Sequence, residues 1–206
     1  MKYKKIFFIS PPFYSHFNPL LVLAKSFRDH GAEVTFGCSI DFKDKILEEN
    51  LNFYEIDIST NKNTGTSEDT AQPDTERMRL EEFFESTKKG AVETLITQSR
   101  HRKADMLYNP QKLIDTIKVI DDSLDVDLYV VDILSYSVTL SLYFLGLPFV
   151  TFCPPHPNTI PRDGRYFNVP KNWPEAITIK EDDLAKLKQV STQTQQEFTE
   201  VFNSII

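Results

Sequence analysis

The sequence predicts an α/β fold built on a doubly wound, Rossmann-like parallel sheet, and three observations predict it. Short apolar runs without in–out alternation (KKIFFIS, AEVTFGC, VDLYVVD) read as strands covered on both faces. Stretches with helical apolar spacing alternate with them, the pattern of βαβ units. Start and stop residues stand where those units need them: Asn18-Pro19, Gly31, Asn109-Pro110 and Gly146.

The first strand, KKIFFIS, runs into a Pro- and aromatic-rich loop carrying His16. Asn18 is expected to cap the next helix, with Pro19 at its first position, where a missing N–H costs nothing. Leu20, Leu21, Leu23, Ala24 and Phe27 form its apolar face, and Gly31 closes it. Ala32–Cys38 is a second strand, FKDKILEEN a short helix and LNFYEIDI a third strand. Residues 59–76 are almost devoid of apolar side chains and are expected to form a mobile loop, read either as plain surface or as a lid. Crossover helices fill 77–124, one over Arg77–Gln98 and one over Pro110–Leu124 capped by Asn109. Val126–Asp132 is a buried fourth strand, Leu134–Leu145 a helix and PFVTFC a fifth strand. The expected division is a Rossmann-like domain over 1–160, then a Pro-rich segment and C-terminal helix over 161–206. That last part either packs on the domain or leads to a further one.

Composition narrows the function classes. A net charge of −7 and a pI near 5.2, with no basic stripe, argue against a nucleic-acid partner. Cys38 and Cys153 sit in or beside apolar strand-like runs and read as reduced core thiols, so a cytoplasmic protein is expected. Without a CxxC pattern or a histidine cluster, no metal site is expected. No stretch approaches the ~20 apolar residues that span a bilayer, and the apolar N-terminal run is too short for a signal peptide.

In a sheet ordered 3-2-1-4-5 the first and fourth strands are neighbours, and ligands bind over the carboxyl ends of the strands where the order reverses. His16 follows the first strand and Asp132 ends the fourth, so both project over one crevice. Such a pair suits general-base chemistry on a hydroxyl. The carboxylate holds the proton on one imidazole nitrogen and stabilises the imidazolium, leaving the other nitrogen to take a substrate proton. Taken singly, His16 can equally bond a backbone carbonyl, and Asp132 can cap the following helix.

The run S-H-F-N-P-L-L-V-L-A-K-S-F-R-D-H-G-A-E-V-T, residues 15–35, resembles the opening of the GT-B, UDP-glycosyltransferase-like enzymes of glycosyltransferase family one. D-L-Y-V-V-D-I-L-S-Y-S-V-T-L-S-L-Y-F-L-G-L-P-F-V-T-F, residues 127–152, resembles the same family's segment with an aspartate ahead of a helix and G-x-P. The resemblance implies the N-terminal, acceptor-binding half of a GT-B architecture. It implies that His16 deprotonates an acceptor hydroxyl, that Asp132 orients it and that the sugar's anomeric carbon inverts. It also implies a pocket for a small hydrophobic acceptor, for which Phe13, Tyr14, Phe17 and Phe83 are candidate lining, although core packing is the commoner role of such residues. Ser15 stands where the family usually has glycine.

The donor, a UDP- or dTDP-sugar, is bound in that family by a second Rossmann-like domain. With six glycines and no glycine-rich phosphate cradle, this chain is expected to bind no cofactor and to need a donor-binding domain or subunit for turnover. Two other readings stay open: a non-catalytic binding or regulatory protein on the same fold, and an unrelated doubly wound module.

Overall fold

The computed structural model describes residues 4–65, 73–106, 108–154, 164–166 and 169–204, with the side chains of 103–106 left aside. In chain order its elements are β1 (Lys5–Ile9), α1 (Tyr14–Asp29), β2 (Glu33–Cys38), a 3-10 turn (Ile40–Phe42), α2 (Lys43–Glu48), β3 (Asn52–Glu55), α3 (Asp74–Lys88), α4 (Ala91–Met106), α5 (Pro110–Leu124), β4 (Leu128–Asp132), α6 (Tyr136–Phe144), β5 (Phe149–Phe152) and α7 (Glu181–Asn203). They form two compact units, Met1–Pro73 with Tyr108–Pro154 and Asp74–Leu107 with Pro155–Ile206, where the sequence reading divided 1–160 from 161–206.

The first unit is the predicted sheet. Five strands run parallel in the order β3-β2-β1-β4-β5, with Ile9 opposite Gly37 on one side and Val131 on the other. Side chains of a strand alternate between faces, and here both faces are apolar. Ile6 and Phe8 pack with Phe17, Leu20 and Ala24 of α1, Val34 and Phe36 of β2 and Ile46 of α2. Phe7 and Ile9 pack on the other face with Leu113, Ile117 and Ile120 of α5, Tyr129 and Val131 of β4, and Val138 and Leu142 of α6. Helices therefore cover both sides, which is what continuous apolar strands require.

Helix α1 closes as its sequence directs. Gly31, at φ +87°, donates its N–H to the Arg28 carbonyl, and Ala32 donates to that of Phe27, a Schellman pair in which the first residue past the cap must be left-handed. The start of α1 corrects the sequence reading. The helix begins at Tyr14, four residues before the expected cap Asn18, and Pro19 lies inside it. The Phe13 carbonyl accepts from the backbone N–H groups of His16 (2.9 Å) and Phe17 (2.7 Å), closing the first turn. Ser15 is an exposed residue of that turn and lies outside the left-handed region, so no glycine is required there.

Two further boundaries move. The helix expected over Arg77–Gln98 is two helices, α3 and α4, broken at Gly90, whose φ of +106° no helix accommodates. Helix α3 also begins at Asp74, within the segment 59–76 expected to be mobile. Asn109 occupies the N-cap position of α5, but its side chain makes no capping bond; its carbonyl accepts from Leu113 instead (3.0 Å). Of the expected mobile loop, residues 66–72 lie outside the described residues, as do 155–163 and 167–168 of the Pro-rich segment.

In the second unit, α4 packs against both α3 and α7. Arg79 pairs with the buried Glu76 at 3.0 Å and donates to the His101 carbonyl at 2.7 Å, tying α3 to α4. Lys186 of α7 reaches Glu93 of α4 at 2.9 Å. Among the described residues, no helix is long and apolar enough to cross a membrane.

Cys38, on β2, is buried, and burial pushes its thiol up to about 12. At pH 8 only about 10⁻⁴ of it is thiolate, the reactive form. Iodoacetamide at pH 8 is therefore expected to leave Cys38 unmodified in the folded chain and to alkylate it after denaturation, as read by peptide mass spectrometry. Modification at equal rates in both states would show that β2 opens readily.

Candidate active site

His16 is the third residue of α1, placed by the turn that Phe13 closes. Asp132 is the last residue of β4, one step beyond the Ile9–Val131 pair. Because β1 and β4 are neighbours in the sheet, residues more than a hundred positions apart meet at one edge. His16 Nδ1 lies 2.9 Å from Asp132 Oδ2. A carboxylate only accepts, so Nδ1–H donates to it, and in the neutral imidazole the lone pair is then on Nε2. The His16 side chain is 12% exposed and that of Asp132 is 0% exposed. A carboxylate buried that deeply must be hydrogen-bonded, and both of its oxygens are. Oδ1 accepts from the Leu134 N–H at 2.9 Å.

This geometry resolves the two single-residue alternatives. The ring of His16 bonds a carboxylate through Nδ1, not a backbone carbonyl. Asp132 tightens the turn after β4 by way of Leu134, while the N-cap of α6 is Ser135. One carboxylate thus holds both the turn and the imidazole. What the arrangement can do chemically is hold a neutral imidazole in one tautomer and stabilise the cation when Nε2 takes a proton.

The four aromatic candidates separate. Phe13 is half-buried with its ring 6.2 Å from that of His16, edge to face. Tyr14 is half-buried, packs edge to face on Phe42 at 5.3 Å, and receives a hydrogen bond at its hydroxyl from Lys45. Phe17 corrects the expectation of pocket lining: it is 0% exposed, with ring centroids 4.4 Å from Phe42 and 5.4 Å from Phe36. Facing inward at helical spacing from Leu20 and Ala24, it has no surface left to offer a ligand. Phe83 is a half-buried residue of α3 in the second unit, beside Phe84.

Two features at this edge escaped the sequence reading. Ser135 Oγ is buried without a hydrogen-bond partner. Asn63, in the polar segment after β3, pairs with the backbone around Phe13. A serine and an asparagine in loops carry no signal that would have singled them out. Among the described residues, no cluster of three or more His, Cys, Asp or Glu side chains could hold a metal.

No protein-family model and no curated protein matches the sequence. Solved structures do match. The spinosyn rhamnosyltransferase SpnG superposes with a TM-score of 0.51 at 10% identity, over 73% of this chain and 35% of that one. The fold is the Rossmann-like half of a GT-B architecture. The Streptomyces sp. SF2575 glycosyltransferase SsfS6, solved with thymidine diphosphate, matches at 17% identity and a TM-score of 0.46, over 73% of this chain and 38% of that one. SnogD from Streptomyces nogalater matches at 16% identity and a TM-score of 0.44, over 95% and 40%. The chain thus spans well under half the length of the glycosyltransferases it resembles. In its GT-B half, the sheet order and the crossover to β4 bring His16 and Asp132 together.

Proposed function

We propose that the chain is the acceptor-binding half of an inverting glycosyltransferase. In this reading Nε2 of His16 takes the proton from a hydroxyl of a small hydrophobic acceptor. The freed oxygen forms a bond to the anomeric carbon of a nucleotide-activated sugar. The bond from that carbon to the diphosphate oxygen breaks, and the nucleoside diphosphate leaves with the electron pair. Asp132 stabilises the imidazolium, whose proton returns to solvent or to the departing diphosphate.

The single observation that supports this most is the 2.9 Å contact between His16 Nδ1 and a fully buried Asp132 at the mouth of the sheet. Ligands of open parallel sheets bind at such a reversal of strand order. Phe13, beside the imidazole, and Tyr14 are the apolar surface we assign to the acceptor. The donor, a UDP- or dTDP-sugar, we assign to a second, donor-binding domain or subunit.

The test is stereochemical. The chain, working with its donor-binding half, is incubated with an α-linked UDP- or dTDP-sugar and a panel of hydrophobic hydroxylated acceptors. The product is expected to carry a β-glycosidic bond, read from its anomeric coupling in proton NMR. A retained α-configuration would reject direct displacement. Saturable acceptor binding without transfer, in the presence of every donor and the donor half, would favour the non-catalytic binding protein.

A further inference from the structure

Residues Ser59–Gly65, which follow β3 in the chain, were expected to be part of a mobile loop, yet a turn of their own and two outside ties hold them. Behind them, Ile56 and Ile58 are buried in the core. At their start, Ser59 Oγ donates to the Asn61 carbonyl at 3.1 Å and accepts from the Asn61 N–H at 3.2 Å. In the middle, the Lys62 ammonium meets Asp41 Oδ2 at 2.6 Å, and the Ser39 hydroxyl donates to the same oxygen at 2.7 Å. That ammonium, then that hydroxyl, hold the Asp41 carboxyl below the usual carboxylate range.

The second tie reaches the site. Asn63 forms a parallel bridge with Phe13. Its N–H donates to the Pro12 carbonyl at 2.7 Å, and its carbonyl accepts from the Tyr14 N–H at 3.0 Å. Tyr14 opens α1, and the first N–H groups of any helix lack partners inside it. The usual remedy is a capping side chain, but the N-cap here is Phe13, which has none to offer. Asn63 supplies the missing acceptor through its backbone.

We propose that the segment Ser59–Gly65 is a positioning strap for the candidate base. By pairing with Pro12 and Tyr14 through Asn63, latched by Lys62 to Asp41, it fixes the first turn of α1 and so the direction in which His16 meets Asp132. This deepens the reading of His16 as a base and rests on it for its catalytic meaning. The geometric claim stands apart from turnover. Asn63 and Lys62 act through the turn and are positioning residues, not catalytic ones.

The test compares Asn63→Pro with Asn63→Ala in the full chain. The first deletes the N–H given to Pro12; the second keeps every backbone group. Asn63 is exposed, so neither change opens the core. Two readouts are taken: hydrogen exchange at the Tyr14 amide, and the downfield proton resonance of His16 Nδ1–H, which persists only while that proton is held on a carboxylate. Asn63→Pro is expected to speed Tyr14 exchange by about tenfold or more and to broaden or erase the His16 resonance. Asn63→Ala is expected to change neither.

Fast Tyr14 exchange with an intact His16 resonance would overturn the proposal, because the strap would then cap the helix without positioning the base. Unchanged Tyr14 exchange would overturn it too. Should Asn63→Pro fail to fold, Lys62→Ala decides by the same readouts, with Lys62→Arg expected to restore both. A His16 resonance missing from the unmutated chain would sink the pair itself and the strap with it. A resonance lost in Asn63→Pro, beside full transfer activity in His16→Ala, would uphold the strap and reject the base.

Discussion

His16→Ala is expected to lower glycosyl transfer by about 10²–10⁴ with little change in the acceptor KM. In the proposed reaction the substitution removes the nitrogen that takes the proton, a loss felt in the transition state and only slightly in the bound ground state. Asp132→Asn is expected to cost nearly as much. The asparagine retains an oxygen for the Leu134 N–H, but its amide can present a donor to Nδ1, pushing the imidazole into the tautomer with its proton on Nε2. Groups that act as a unit are not additive, so the double variant should be no slower than His16→Ala. The assay is initial-rate transfer by the chain with its donor-binding half; unchanged turnover in His16→Ala would remove this residue from the mechanism.

The sheet was legible because its signal is local. A strand covered on both faces must be apolar throughout, so KKIFFIS and VDLYVVD announce themselves, and alternation with helices fixes their parallel sense. The pair followed from strand order alone, since β1 and β4 can adjoin only if the chain crosses over between them. What was misread depends on contacts that no local pattern records. Asn18-Pro19 looks like a helix start, but the Tyr14 N–H finds its acceptor in Asn63, so the helix can begin a turn earlier. The cost is Pro19 at the sixth helical position, where the carbonyl of Ser15, an exposed residue, loses its usual donor. Composition showed that Ser59–Gly65 buries little, and it does. It could not show that the segment's backbone completes another element. Likewise, Phe13 and Phe17 are phenylalanines four positions apart, one half-buried beside His16 and one fully buried, and only packing tells a site neighbour from the core.

The largest stability effect is expected at Phe7. It is fully buried on β1, against Tyr54 and Tyr129 with ring centroids 5.7 Å away in each case. Phe7→Ala should cost about 3–5 kcal/mol, since the stiff sheet and α5 cannot collapse into the space. The diagonal neighbour of Phe7, two residues beyond its partner Thr35, explains why a glycine stands near the end of β2. A Cβ built on Gly37 would lie 2.7 Å from Phe7 Cε1, 3.2 Å from its Cζ and 3.1 Å from Ile56 Cγ2. Gly37→Ala alone should therefore destabilise by about 1–3 kcal/mol, although alanine is the better strand former by entropy. Phe7→Leu removes the ring atoms that this Cβ meets. Gly37→Ala in the Phe7→Leu background should then cost less than in the wild type, with a coupling of about 0.5–3 kcal/mol. Urea unfolding at constant m reads all four corners of the cycle. Strict additivity would mean that the ring already yields, and that the glycine is kept for some reason other than the room it leaves for Phe7.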